Sequence, residues 1–193
     1  MNGDADAAPG RLALIQQFAN SYDDLSGRDD LASLATTSAW LTERGLLAPT
    51  DGRLSSQQFE VLCQLRRSIR GLCLANSGCE RRAEDFALLN AVALQAGLHP
   101  LLEHNGQPTL EVDAATGLGS SGRLVAIVFN ALWDGTWPRL KACPGDACNY
   151  AFYDHTRNNS RLWCSMARCG SRAKMRAYRT RRRSPVDSSD GHS

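Results

Sequence analysis

CPGDACNYAFYDHTRNNSRLWCSMARCG, residues 143–170, holds four of the seven cysteines in this chain. They fall as Cys143-x4-Cys148 and Cys164-x4-Cys169, two close pairs with fifteen residues between them. Each pair fits on one tight turn and offers two sulfurs, and Pro144-Gly145 and Gly170 are residues that such turns use. Folding the intervening segment back on itself brings the pairs together. Four thiolates at about 2.3 Å form the tetrahedron that zinc prefers, and they leave no position open for a substrate. The spacing therefore predicts one structural Zn2+ bound by Cys143, Cys148, Cys164 and Cys169. His155 lies in the same segment and is predicted to be a surface residue, because four sulfurs already complete the site. Tyr150-Ala151-Phe152-Tyr153 and Arg161-Leu162-Trp163 are predicted as two short strands, with a turn at Arg157-Asn158-Asn159-Ser160. A module of ~45 residues has too small a core to fold alone. Metal binding supplies the difference, on the order of 10 kcal/mol in comparable peptides.

Downstream, residues 170–183 are predicted to form a helix. Arg172, Arg176, Arg179 and Arg183 recur at helical spacing and line one face, with Met175 and Tyr178 beside them to pack on the finger. Residues 139–183 carry twelve Lys/Arg against two acids, a net +10, whereas residues 1–138 carry a net −6. Such asymmetry points to an anionic partner for the basic half. Guanidinium groups form forked hydrogen bonds with phosphate and guanine edges. Arg172, Arg176, Arg179 and Arg183 are therefore the candidate DNA-binding residues, with Arg157 and Arg161 on the hairpin touching the backbone. RNA, or an acidic protein partner, is the alternative.

Upstream, the pattern is mostly helical. Leu14, Ile15, Phe18 and Tyr22 share one stripe, and Leu31, Leu34, Ala35, Ser38 and Leu41 a second. Ser55-Ser56-Gln57-Gln58 reads as a capping box that opens a longer helix with Phe59, Leu62, Leu65, Ile69 and Leu72 inward. Phe86, Leu89 and Ala93 mark another helix, ended by Gly97. Asn105-Gly106 is a favoured hairpin turn, and a last helix runs over residues 121–133. Gly117-Leu118-Gly119-Ser120-Ser121-Gly122 matches a dinucleotide fingerprint by letter. The second parallel strand that such a site needs would fall inside the finger, so the stretch is predicted to be a loop with Ser120 or Ser121 capping the last helix. Cys63, Cys73 and Cys79 are predicted to be buried thiols.

No Ser/His/Asp or paired-carboxylate constellation is visible, and His99 and His104 are predicted to be structural or surface residues, so the chain does not read as an enzyme. No apolar run reaches the ~18 residues needed to span a bilayer. The Asp/Ala-rich start has neither a basic region nor an apolar stretch, which leads to the expectation of a cytoplasmic protein without membrane partners.

Residues 143–183 resemble the CGNR zinc-finger family. The resemblance is carried by Phe152-Tyr153-Asp154, Arg157-Asn158, Ser160-Arg161, Trp163-Cys164-Ser165-Met166, Cys169-Gly170 and Arg172-Ala173-Lys174. Ser171 stands where the family signature has Asn, and its short polar side chain is predicted to cap the following helix. The preceding residues resemble the ABATE domain that accompanies this finger, at Phe18-Ala19-Asn20-Ser21 and His99-Pro100. The resemblance implies a bacterial transcription regulator of a type described as stress-induced.

Together these readings predict an α+β protein. Residues 1–10 and 184–193 are disordered ends. Residues 11–138 form a mainly helical ABATE-like domain with a small β-hairpin. Residues 139–183 form a small zinc-ribbon or treble-clef-like finger that ends in a basic helix. The expected function is zinc-dependent DNA binding in transcription, with a regulatory N-terminal domain that has room for a small-molecule effector. The sequence sets no oligomeric state.

Overall fold

The protein is described from a computed structural model, which covers residues 6–104, 106, 108–113 and 118–183, with the side chain of Arg183 excepted. The expected disordered tail, Asn105 in the hairpin turn and Gly117 of the glycine motif lie outside the described residues.

Helix α1, Leu12–Asn20, buries Ile15, Phe18 and Ala19 completely. A two-residue ribbon follows, β1 Tyr22–Asp23 against β2 Arg28–Asp29. The Asp23 carboxylate holds its turn by accepting from Leu25 N–H and Ser26 Oγ–H. Helix α2, Leu34–Glu43, starts at a reciprocal cap between Ser33 and Thr36. The predicted capping box opens α3, Ser56–Asn76: Gln58 N–H donates to Ser55 Oγ at 3.2 Å and Ser55 N–H to Gln58 Oε1 at 2.6 Å. Leu62, Leu65, Ile69, Leu72 and Cys73 of α3 run through the core. Helix α4, Ala83–Gln95, buries Asp85, Leu89 and Val92 and packs Ala93 against the core, so Leu89 and Ala93 face inward as predicted, whereas Phe86 is exposed. The hairpin β3 His99–Leu102 with β4 Pro108–Glu111 leads into α5, Gly119–Trp133. Neither Ser120 nor Ser121 caps α5; both are buried within its first turn. Gly122 is where the end of α4 and the residue after β4 close on α5, since a Cβ there would lie 2.7 Å from Ala96 Cβ and 3.0 Å from the Val112 methyl groups.

The finger is built into this core. Strand β5, Leu140–Ala142, pairs antiparallel with β6, Ala151–Tyr153, and the first cysteine knuckle forms the loop between them. The predicted partner of β6, Arg161-Leu162-Trp163, is not a strand. Strand β5 takes its place because Leu140 and Ala142 add a buried apolar edge to α3. Leu140, Ala142, Ala151 and Tyr153 belong to one apolar cluster with the helical residues. Polar side chains seal the seam. Asn20 Nδ2–H donates to Ala151 O at 2.8 Å, and Ala151 N–H donates to Asn20 Oδ1 at 2.7 Å, so a side-chain amide stands in for a neighbouring strand. Asn76 donates to Trp137 O and Leu140 O, and Ser77 to Ala142 O. The core is therefore continuous across position 138.

Residues 6–8 cross the same seam. Tyr153 N–H and Gln16 Nε2–H donate to Asp6 O, and the Gln16 carbonyl accepts from Ala8 N–H. The expectation of disorder over residues 1–10 is corrected for residues 6–8, which are tied down by these bonds and by His155 Nε2 on Ala7 O.

Candidate metal centre and nucleic-acid interface

Two turns place the sulfurs. The turn after β5 carries Cys143 and Cys148, and it passes through left-handed backbone at Ala147, φ 52°, and Asn149, φ 46°. Gly145 lies beneath the sulfurs: a Cβ there would touch Cys143 Sγ and Cys169 Sγ at 3.4 Å. Cys164 precedes a π-turn, Met166–Gly170, that carries Cys169 and continues as α6, Ser171–Arg183. All four sulfurs lie within 4.8 Å of one another, Cys148 Sγ 3.5 Å from Cys164 Sγ and Cys164 Sγ 3.7 Å from Cys169 Sγ. A regular tetrahedron with 2.3 Å zinc–sulfur bonds has edges of about 3.8 Å. The donor set fits one structural zinc ion and leaves no open position. Phe152 and Trp163 pack around it.

The electrostatics of the sulfurs agree. Hydrogen bonds from the Cys148 and Cys164 thiols pull Cys143 far down, to about 2, and the same contacts push Cys148 and Cys164 up. Sulfurs this close do not all ionise unless a cation neutralises them, which a bound divalent metal does. His155 is not among the ligands: its Nε2 meets Ala7 O at 3.0 Å, and its ring lies edge-on to Tyr153.

An ion pair organises the loop between the cysteine pairs. Lys141 Nζ donates to Asp154 Oδ2 at 2.8 Å, Asn159 O at 2.7 Å and Arg161 O at 3.1 Å, and neither charged side chain is more than 4% exposed. Asp154 also accepts from Thr156 N–H, Thr156 Oγ–H and Arg161 N–H. Burial by itself would raise this carboxyl, but Lys141 and the other donors outweigh it and hold the group well below the usual carboxylate range. Arg139 donates to the carbonyls of Asp154 and Thr156. Arg161 pairs with Asp6, donates to Trp163 O and Cys164 O, and lies over the Phe152 ring. Three of the basic residues counted in the sequence are thus internal fasteners. Sequence reasoning missed the Lys141–Asp154 pair. Its only signal was an acid inside an otherwise basic segment.

Helix α6 differs from every other helix. Each described residue from Ser171 to Arg182 is exposed except the half-buried Ala173. Arg172, Arg176 and Arg179 share the predicted face, and Arg183 follows at the helix end. Arg176 meets Asp146 of the first knuckle. Met175 and Tyr178 do not pack on the finger as predicted; they are 56% and 54% exposed. Arg157 is exposed on the loop. Ser171 does not cap the helix either. The helical path begins five residues earlier with Ser165 as its cap, and Ser171 Oγ–H donates back to Met166 O at 3.0 Å. The π-turn inserts one residue, so Cys169 faces the metal while the arginines face outward.

The remaining candidates play local parts. Gly119 and Gly122 serve packing, Gly119 against the Asp51 carboxylate that pairs with Arg123. Cys73 is fully buried, and burial pushes its thiol up to about 12. Cys63 is half-buried and Cys79 is exposed, which corrects the expectation of burial for Cys79. His99 and His104 are exposed. Among the described residues, no helix is long and apolar enough to cross a membrane.

Comparison with known families returns two matches in tandem. Residues 139–182 match the model "CGNR zinc finger". Residues 12–134 match the ABATE model, described as "Putative stress-induced transcription regulator". Neither is an enzyme family. No curated protein matches the chain.

Proposed function

Since the chain belongs to the ABATE family and ends in a CGNR zinc finger, we propose that it is a zinc-dependent DNA-binding transcription regulator whose N-terminal domain senses a ligand. The observation that carries this reading is α6. It presents seven Lys/Arg and no acid, stands exposed, and is fixed at its base by the metal ligand Cys169. Zinc-stapled helices that enter a groove read nucleic acid in this way. Arg172, Arg176, Arg179 and Arg183 are assigned to the DNA, and Arg157 to the backbone beside them. Arg161 is assigned instead to holding the knuckle, because its guanidinium is already engaged. The Arg176–Asp146 pair is exposed and worth at most about 1 kcal/mol, so a phosphate displaces it readily. A cytoplasmic location suits this role.

The exposed Met175 and Tyr178 favour a second reading, a zinc-stabilised protein-interaction module; an RNA-binding module would use the same arginines. Fluorescence anisotropy with a labelled duplex separates these readings. The expected result is salt-sensitive duplex binding that a chelator abolishes and added zinc restores. Tighter binding to an RNA hairpin of equal length, or no binding to either, would overturn the DNA assignment.

A further inference from the structure

A cavity of about 490 Å³ lies between the β1–β2 ribbon, α3 and the finger. This is the size of small-molecule sites. Tyr22, Leu25 and Arg28 line it from the ribbon, and Tyr150, Met166 and Arg168 from the finger. The hydrogen-bonding capacity of its walls is one-sided. The acceptors are engaged: Asp6 by Arg161, Asp23 by Leu25 and Ser26 of its own turn, and the Asn20 amide by Ala151. Cys148 and Cys164 are metal ligands. Arg70 is also engaged, by Asp24, Ala19 O and Tyr22 O. What remains are donors. The Arg168 guanidinium and the Tyr22 and Tyr150 hydroxyls meet no hydrogen-bonding partner among the described residues, and Arg28, which stands opposite Asp23 across the ribbon, makes one exposed ion pair, with Asp30 at 3.2 Å. Two phenol rings, Leu25 and Met166 supply an apolar lining beside these donors.

We propose that this cavity binds a small organic anion with an apolar body, its anionic group between Arg28 and Arg168 and its body between Tyr22, Tyr150, Leu25 and Met166. Two arginines and two phenols with free donors match a carboxylate or sulfonate, whose oxygens only accept. The position also gives the ligand leverage. Arg28 belongs to the helical body, whereas Met166 and Arg168 belong to the π-turn at the base of α6. A ligand that bridges them acts on the one helix that carries the arginine stripe. This names the site for the sensing half of the proposed function and rests on that half alone.

The test uses the full-length, zinc-loaded protein without DNA, so its failure leaves the DNA assignment standing, and the reverse holds too. The probe is 8-anilinonaphthalene-1-sulfonate, with neutral N-phenyl-1-naphthylamine as its uncharged counterpart. The expected result is saturable binding of one anionic probe per chain, with the neutral dye about tenfold weaker or worse. Arg28→Glu with Arg168→Glu should weaken the anionic probe about tenfold or more, and Leu25→Trp, which fills the cavity without changing charge, should do the same. Far-UV circular dichroism and zinc content should stay unchanged in both variants, since all three residues are exposed. Equal affinity for both dyes, or unchanged probe affinity in either variant, would overturn the proposal. Displacement of the probe by millimolar phosphate at fixed ionic strength would also overturn it, by assigning the arginines to a bare phosphoryl group.

Discussion

Lys141 and Asp154 shape the finger from inside. Their ion pair is almost wholly removed from water and fixes two carbonyls, of Asn159 and Arg161, and two backbone N–H groups, of Thr156 and Arg161. A buried pair of this kind contributes little compared with an apolar pair, but breaking it leaves an uncompensated charge. Lys141→Met should therefore destabilise the protein by about 3–5 kcal/mol in thermal or denaturant unfolding; a loss under about 1 kcal/mol would show that the loop is held by other means. The pair also sets an acid limit. The folded Asp154 carboxyl titrates below its unfolded value of about 3.9, so its contribution is fully present above that pH and is lost as pH falls below it. Denaturant titrations carried from about pH 6 down to about pH 2 should show a steeper loss below about pH 4 in the wild type than in Asp154→Asn, which keeps the acid sensitivity of Asp29 and Asp51. Asn20 acts at the other face. Asn20→Ala leaves Ala151 N–H without its acceptor and Ala151 O with only the Gln16 amide, and should cost about 1–2 kcal/mol in the same measurement.

Among the elements, those governed by local rules were legible in the sequence. The cysteine spacing reports a coordination tetrahedron, and the Ser55–Gln58 box reports a helix start, because both depend on residues close in sequence. The pairing of β6 was not legible. A three-residue strand takes whichever partner the core offers, and here that partner is β5, already packed on α3. The part played by Asp6 was also hidden, since its partner Arg161 lies 155 positions away. The start of α6 was misplaced for a different reason. Gly170 and Ser171 resemble a helix entrance, but the π-turn carries the helical path through them. This predicts a contrast between two serines. Ser165→Ala should lower stability by about 1 kcal/mol as a lost cap, and Ser171→Ala should cost less. Equal losses, read as equal changes in the unfolding midpoint, would contradict the assigned helix start.

For the molecule as a whole, helical domain and finger share one apolar cluster, and the seam is closed by Asn20, Asn76, Ser77 and residues 6–8. A fragment of residues 1–138 looks independent in the sequence because its apolar stripes are sufficient in number. In the structure that cut exposes the faces of α1 and α3 that hold β5 and β6. The fragment should aggregate or lose its cooperative thermal transition; a transition matching that of the full chain would restore the two-domain division. Basic charge is concentrated on α6, whose described side chains are nearly all exposed. The most direct test of the central claim is therefore a salt titration of duplex affinity for the wild type and for the Arg176→Ala, Arg179→Ala double variant. Five phosphate contacts, from Arg157, Arg172, Arg176, Arg179 and Arg183, predict a log–log slope of about −4.5 for the wild type. The double variant should bind more weakly, with a slope shallower by about two. Superimposable curves would contradict the assignment of α6 to DNA.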